Sequence, residues 1–176
     1  MATTITGSGV DNIVDGTITN ADINASAAIA GSKVDGSFGK VLQVVSREES
    51  TWTSSSGTTP VSLNLGATIT PTSLNNKLLF LVNINGVYSP STSMSIKLEI
   101  HKDGTLKKFI DNDLTHNISA YGESGSYNFL MDVDSTSSQT WDVFGNSSTG
   151  GTWGWCNYIA ANERTLCTLT IMEIGA

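Results

Sequence analysis

Positive charge is scarce in this chain. Nine Lys and Arg stand against sixteen Asp and Glu, a formal net charge of −7 at pH 7, and the only close basic pair is Lys107-Lys108. Binding a phosphate backbone needs clustered Lys and Arg, so the composition argues against a nucleic-acid partner. Cysteine is limited to Cys156 and Cys167. No CxxC or HxxH spacing occurs, so no metal site is expected. Each cysteine lies in an apolar, strand-like stretch, which reads as a buried thiol, with a disulfide left to the geometry. No run of about 18 apolar residues is present, so no membrane insertion is expected. The opening MATTITGSGV has neither the basic nor the apolar region of a signal peptide, and the chain is expected to be made and folded in a cytoplasm. Charged residues amount to only 14 %. Long Glu/Lys/Ala/Leu-rich stretches are missing, which disfavours a helical protein.

What replaces them is Ser, Thr, Asn and 17 Gly, the composition of a β protein with many turns. Residues 41–46 are apolar and β-branched. Residues 59–70 form a long Thr/Val/Leu segment with Pro60 at its start, and 77–85 contain the continuous run LLFLVNI, which predicts a strand buried on both faces. Residues 94–102 alternate, with Met94, Ile96, Leu98 and Ile100 opposite Lys97, Glu99 and His101. Asp103-Gly104 then signals a tight hairpin into a return strand over 105–110. Residues 127–133, 140–144, 153–159 and 165–174 complete the set. Eight to ten strands with turn signals every 8–12 residues predict an all-β, jelly-roll-like sandwich head over residues 41–176.

Residues 1–40 are different. Phe38 is their single aromatic residue, and apolar side chains recur at Ile13, Ile18, Ile23, Ile29 and Val34 in a background of small polar residues. A spacing of five or six fits neither helix nor strand. Such a thin seam cannot form a core by itself, but it can be ordered where identical chains wrap a common axis. Val14-Asp15-Gly16-Thr17-Ile18 is echoed by Val34-Asp35-Gly36-Ser37-Phe38, a weak repeat of stacked units, and residues 24–31 allow one helical turn. The segment is expected to be an extended N-terminal trimerisation and anchoring arm.

Catalytic chemistry finds little support. His101 falls on the polar face of its strand and His116 in a polar stretch, and both read as solvated. No Ser carries a nucleophile-elbow motif, Glu48-Glu49 point to opposite faces, and Asp132-x-Asp134 lacks the Gly and Glu of a calcium loop. No catalytic residue, metal or cofactor is assigned, and no enzyme is expected. The aromatic residues are better candidates. Trp153 and Trp155 share one face of a strand, and Tyr88 and Tyr121 adjoin polar loops, so all four are candidate receptor contacts, with a core role open for the tryptophans. In the last strand Thr168, Thr170, Met172 and Ile174 make a smooth, partly apolar face. It suits a trimer interface or, equally, the interior of a sandwich.

The arm motif GTITNADINASAAIAGSKV, the head's opening KVLQVVS and its ending LTIMEIGA resemble segments of tail fibres and related appendages of phages that infect cyanobacteria and other marine bacteria. The resemblance implies a homotrimeric virion fibre, attached by its N-terminal region to another virion protein of tail, baseplate or capsid. Its β head would contact a host surface glycan or outer-membrane protein. A capsid decoration protein or head fibre, anchored to the shell by the same arm, is the alternative. On either reading, deleting residues 1–36 releases the head from particles, as checked by blotting purified virions. Continued incorporation of the truncated chain would contradict both.

Overall fold

Alternating apolar and polar side chains set the strands, and the breaks between them fall at residues that cannot continue a ladder. The structure is a computed structural model and describes residues 40–89, 94–114, 123–156, 158–160 and 163–176, with 158–160 and 163–164 described by strand path alone. The arm seam at Ile13, Ile18, Ile23, Ile29 and Val34, the 24–31 turn, His116 and Tyr121 lie outside these residues.

The strands are β1 (Val41–Glu49), β2 (Thr53–Ser56), β3 (Val61–Ser62), β4 (Ala67–Ile69), β5 (Lys77–Val87), β6 (Ile96–Lys102), β7 (Thr105–Asp111), β8 (Glu123–Asp132), β9 (Gln139–Ser147), β10 (Thr152–Trp155), β11 (Tyr158–Ala160), β12 (Glu163–Arg164) and β13 (Cys167–Ile174). One sheet has the order β1-β13-β5-β8. In the second, β3 and β4 both pair with one edge of β9, followed by β6 and β7. Counting β3 and β4 as one interrupted strand gives two antiparallel four-strand sheets, between which the chain crosses repeatedly. That is the jelly-roll arrangement, with the first and last strands adjacent in one sheet. Two small ribbons, β2–β10 and β11–β12, are added to it.

The inner faces meet in one core. Leu78, Phe80, Val82 and Ile84 of β5 and Leu169 and Ile171 of β13 come from the first sheet. Ile96, Leu98 and Ile100 of β6 and Trp141 and Val143 of β9 come from the second. Phe80 is central: it stacks on Phe129 with centroids 5.1 Å apart and meets Trp141 edge-on at 5.0 Å, two of the preferred aromatic geometries.

The Asp103-Gly104 signal is met directly. Their φ angles of 48° and 78° give the doubly left-handed turn that matches strand twist in a two-residue hairpin. Three other expected segments changed in identifiable ways. The 59–70 strand is interrupted at residues 63–66, where Asn64 takes φ 61° and Leu63 and Leu65 both sink into the core. The 153–159 strand breaks at Cys156, whose φ is 53°. In β5 the run LLFLVNI buries Leu78, Phe80, Val82 and Ile84 completely but leaves Leu79 and Leu81 half-buried. No other layer of the described residues covers its outer face.

One inward position is charged. Glu173 of β13 is 0 % exposed. Its carboxylate accepts hydrogen bonds from Gln43 Nε2 (2.5 Å), Thr72 N (2.7 Å), Thr72 Oγ1 (2.8 Å) and Asn76 Nδ2 (2.6 Å). Burial pushes this carboxyl up, but the hydrogen bonds from Gln43, Asn76 and Thr72 outweigh it and hold the group at about 2, against an ordinary 4.5. Between those values the unfolded chain binds the proton and the folded chain does not. The stabilisation is therefore complete above about pH 4.5 and is lost as pH falls toward 2. Replacing Glu173 with Gln turns a donor toward these donors and is expected to cost about 3 kcal/mol at pH 7. Urea unfolding of both proteins from pH 6 to pH 2.5 checks this: the difference between them narrows below pH 4.5, and a pH-independent difference would refute the assignment.

Candidate functional site

Three surfaces of the head carry unusual side chains. The first is the outer face of the β1-β13-β5-β8 sheet. Strand register places Val44, Met172, Leu79 and Leu130 in one row across all four strands. Val44 and Leu130 are 53 % and 59 % exposed. The neighbouring row, toward the start of β1, is Val41, Ile174, Lys77 and Asp132, with Lys77 and Asp132 joined as an ion pair. Leu42, at a bulge in β1, adds a further exposed apolar side chain. Toward the other end the rows turn polar. Ser46, Thr170, Leu81 and Asn128 come next, then Glu48, Thr168, Asn83 and Ser126. These are tied by hydrogen bonds between the Ser46 and Thr170 hydroxyls (2.8 Å), from Asn83 Nδ2 to Thr168 Oγ1 (3.1 Å), and from Ser126 Oγ to Asn83 Oδ1 (2.7 Å). Thr168, Thr170, Met172 and Ile174 thus stand together, half-buried, on the outer face of the strand between β1 and β5. They are not interior to the sandwich, because the inner face of β13 carries Cys167, Leu169, Ile171 and Glu173.

The second surface lies at the opposite end of that sheet, where β1 and β5 finish and β8 and β13 begin. Backbone bonds between Tyr88 and Gly154 (2.9 and 3.0 Å) fasten the end of β5 to the β2–β10 ribbon. Tyr88 is half-buried and meets Trp52 edge-on with centroids 6.1 Å apart. Gly154 is required under this pair, since a Cβ there would come within 2.3 Å of the Trp52 ring and 2.7 Å of the Thr53 carbonyl. Trp153 and Trp155 are each 1 % exposed, with centroids 5.0 Å apart. This corrects the expectation that they contact a receptor: both fill the core, and no ligand can stack on them from outside. Sequence reasoning passed over Trp52. Its signal is the small-residue pattern opposite it, Gly154 between two tryptophans.

The third surface is the outer face of the second sheet. His101, expected to be solvated, is only 8 % exposed. Its ring lies flat on Phe144 at 4.0 Å, which shields it from water. Nδ1 is 3.2 Å from the Gly104 carbonyl and Nε2 is 2.7 Å from Glu99 Oε2. Both ring nitrogens therefore have a hydrogen-bond partner within the protein. Nearby, Ser62 Oγ donates to Asp142 Oδ2 at 2.5 Å and Leu65 N donates to Asp142 Oδ1 at 3.1 Å. Burial raises the Asp142 carboxyl above its ordinary value, with these bonds and His101 opposing. The Ser62 hydroxyl is committed to a carboxylate and both His101 nitrogens to other partners. The cluster is therefore not arranged as a nucleophile and base; it braces the β3–β4 interruption. Asp132 and Asp134 face lysines, Asp132 pairing with Lys77 and Asp134 with Lys102 and Lys107. Among the described residues no three His, Cys, Asp or Glu side chains are grouped to hold a metal ion.

Compared with protein families and with characterised proteins, the chain matches none.

The burial pattern makes a spectroscopic prediction. Of the four tryptophans, Trp141, Trp153 and Trp155 are each 1 % exposed and Trp52 is half-buried. Trp52→Phe should remove the acrylamide-quenchable part of the emission and leave a blue-shifted, poorly quenched remainder. Strong quenching in that variant would contradict the burial of Trp141, Trp153 or Trp155.

Proposed function

We propose that this protein is a structural virion appendage, a fibre whose jelly-roll head assembles as a homotrimer and presents its far end to a host surface glycan or outer-membrane protein. The observation that carries the reading is the apolar outer face of the β1-β13-β5-β8 sheet. A row of Val44, Met172, Leu79 and Leu130 is far more apolar than a solvated surface requires. The occupant is a second copy of the same face or its neighbour. Residues 1–39 precede β1 in the chain, and the thin apolar seam in their sequence is expected to need partner chains. Copies gathered through that seam begin their heads from one place. Charge agrees: the chain carries −7, but the row itself is uncharged and the adjoining Lys77–Asp132 pair is neutral, so like copies can meet there without like charges opposing.

The opposite end, with Tyr88 and Trp52 half-buried, remains for the host. Stacked or edge-on aromatic rings supply contact area for sugars or proteins with little loss of side-chain freedom. In this reading the protein acts by holding and binding rather than by catalysis, and it works in the assembled virion.

Light scattering on the full chain tests the assembly. The expected mass is three times 18.6 kDa, and Leu79→Asp with Met172→Asp should yield a folded monomer with unchanged circular dichroism. A tenfold or larger weakening, about 1.4 kcal/mol or more, is expected from either substitution alone. A monomeric unmodified chain would overturn the proposal. Immunogold labelling of virions then separates tail from capsid attachment, label confined to the shell favouring a head fibre.

A further inference from the structure

The paired strands β11 and β12 lie in the chain between Cys156 and Cys167. Both cysteines are buried at 0 % exposure, and their Sγ atoms lie 3.0 Å apart. Neither residue is free to drift. Cys167 opens β13 and pairs with Glu49 of β1, while Asn85 N donates to its sulfur at 3.3 Å. The Cys156 amide donates to the Asn85 carbonyl at 3.1 Å, and the residue holds a left-handed φ of 53°. That conformation is unfavourable for a side chain with a Cβ. Here it turns the thiol back toward β13. The backbone of β5 at Asn85 thus sets both sulfurs, and closing an S–S bond of about 2.05 Å asks for a movement of only about 1 Å.

We propose that Cys156 and Cys167 are a modification site, an intrachain disulfide that clips the base of the β11–β12 hairpin when the protein meets a small-molecule disulfide oxidant. The Cys167 thiol is the attacking group. The hydrogen bond from Cys156 lowers its pKa, with burial opposing, while the same hydrogen bond and burial raise that of Cys156. The Cys167 thiolate attacks one sulfur of the oxidant, forming a mixed disulfide and releasing one small thiolate. Cys156 then gives up its proton and attacks the Cys167 sulfur, releasing the second. Two protein S–H bonds and the reagent's S–S bond become one protein S–S bond and two reagent S–H bonds, so two electrons pass from protein to reagent. Burial of both sulfurs confines the exchange to local opening of the hairpin base or to the last stage of folding. The inference is independent of the assembly and of the host contact proposed above.

The full chain is purified reduced and divided. One portion is incubated folded with glutathione disulfide; the other is unfolded and refolded in a glutathione redox buffer. Thiols are then alkylated in denaturant, and mass and peptide map are recorded. The expected product is a monomeric polypeptide lighter by two hydrogens, with both thiols protected and the peptides containing 156 and 167 linked. The closed form should exceed the mixed disulfide by at least tenfold, and the melting temperature should rise by several degrees, as expected for a closed loop of about ten residues. Cys156→Ser and Cys167→Ser each abolish the shift and leave a stable glutathione adduct or a free thiol. Two free thiols after refolding in the redox buffer, a persistent mixed disulfide in the unmodified chain, or linkage only between chains would overturn the proposal.

Discussion

The last strand of this protein is locked between the first and the fifth by a buried carboxylate. Glu173 lies on the inner face of β13, where the three preceding inward positions are Cys167, Leu169 and Ile171. An ionised group there would be costly if it were bare. It is instead wrapped by Gln43 from β1 and by Thr72 and Asn76 from the segment leading into β5. Gln43 also donates to the Thr70 carbonyl, and Asn76 accepts from the Ala176 amide. The network centred on Glu173 thus ties together the start of the head, the approach to its central strand and, through Asn76, Ala176. The jelly-roll order requires β13 to insert between β1 and β5, and this network fixes the end of that insertion.

The other end of β13 is fixed by Cys167, which sits against Cys156 and Asn85. Between these two anchors the strand shows two unlike faces. The inner face completes the core with Leu169 and Ile171. The outer face belongs to a four-strand surface that changes along its length, from Val, Leu, Met and Ile near the start of β1 to Ser, Thr and Asn near the end. The core between the sheets is closed by the inner faces and does not use this outer surface. In the assembly proposed above, the apolar part would meet copies of itself and the polar part would lie in water.

Much of the fold was legible from local patterns. Strict alternation located β6, β13 and the second half of β8, and Asp103-Gly104 identified its hairpin because few dipeptides adopt two left-handed residues without strain. The polar ribbon strand β2, with sequence TSSS, was not legible: it has no apolar period, and its pairing with β10 comes from tertiary proximity. The interruption between β3 and β4 was hidden too, because Leu63 and Leu65 look like alternating strand positions. Only contact with β9 and the Asp142 carboxylate reveals that they turn the chain into the core. Of the candidate contacts, Tyr88 lies beside Trp52 at one end of the head, whereas Trp153 and Trp155 are core.

The amino-acid sequence by itself determined the β class, the main strands, the tight hairpin and the apolar character of the last strand's two faces. These depend on side-chain period and turn chemistry, which act over a few residues. The tertiary structure alone decided which apolar faces are covered and which are left open. LLFLVNI reads the same whether one face or both are buried, and the two tryptophans read the same in a core or on a tip. Exposure depends on what distant strands bring to a position: Gly154 beneath the Trp52 ring, Phe144 over His101, and no described layer over Leu79 and Met172. The juxtaposition of Cys156 and Cys167 has the same origin, since β5 holds both ends of the intervening hairpin in place.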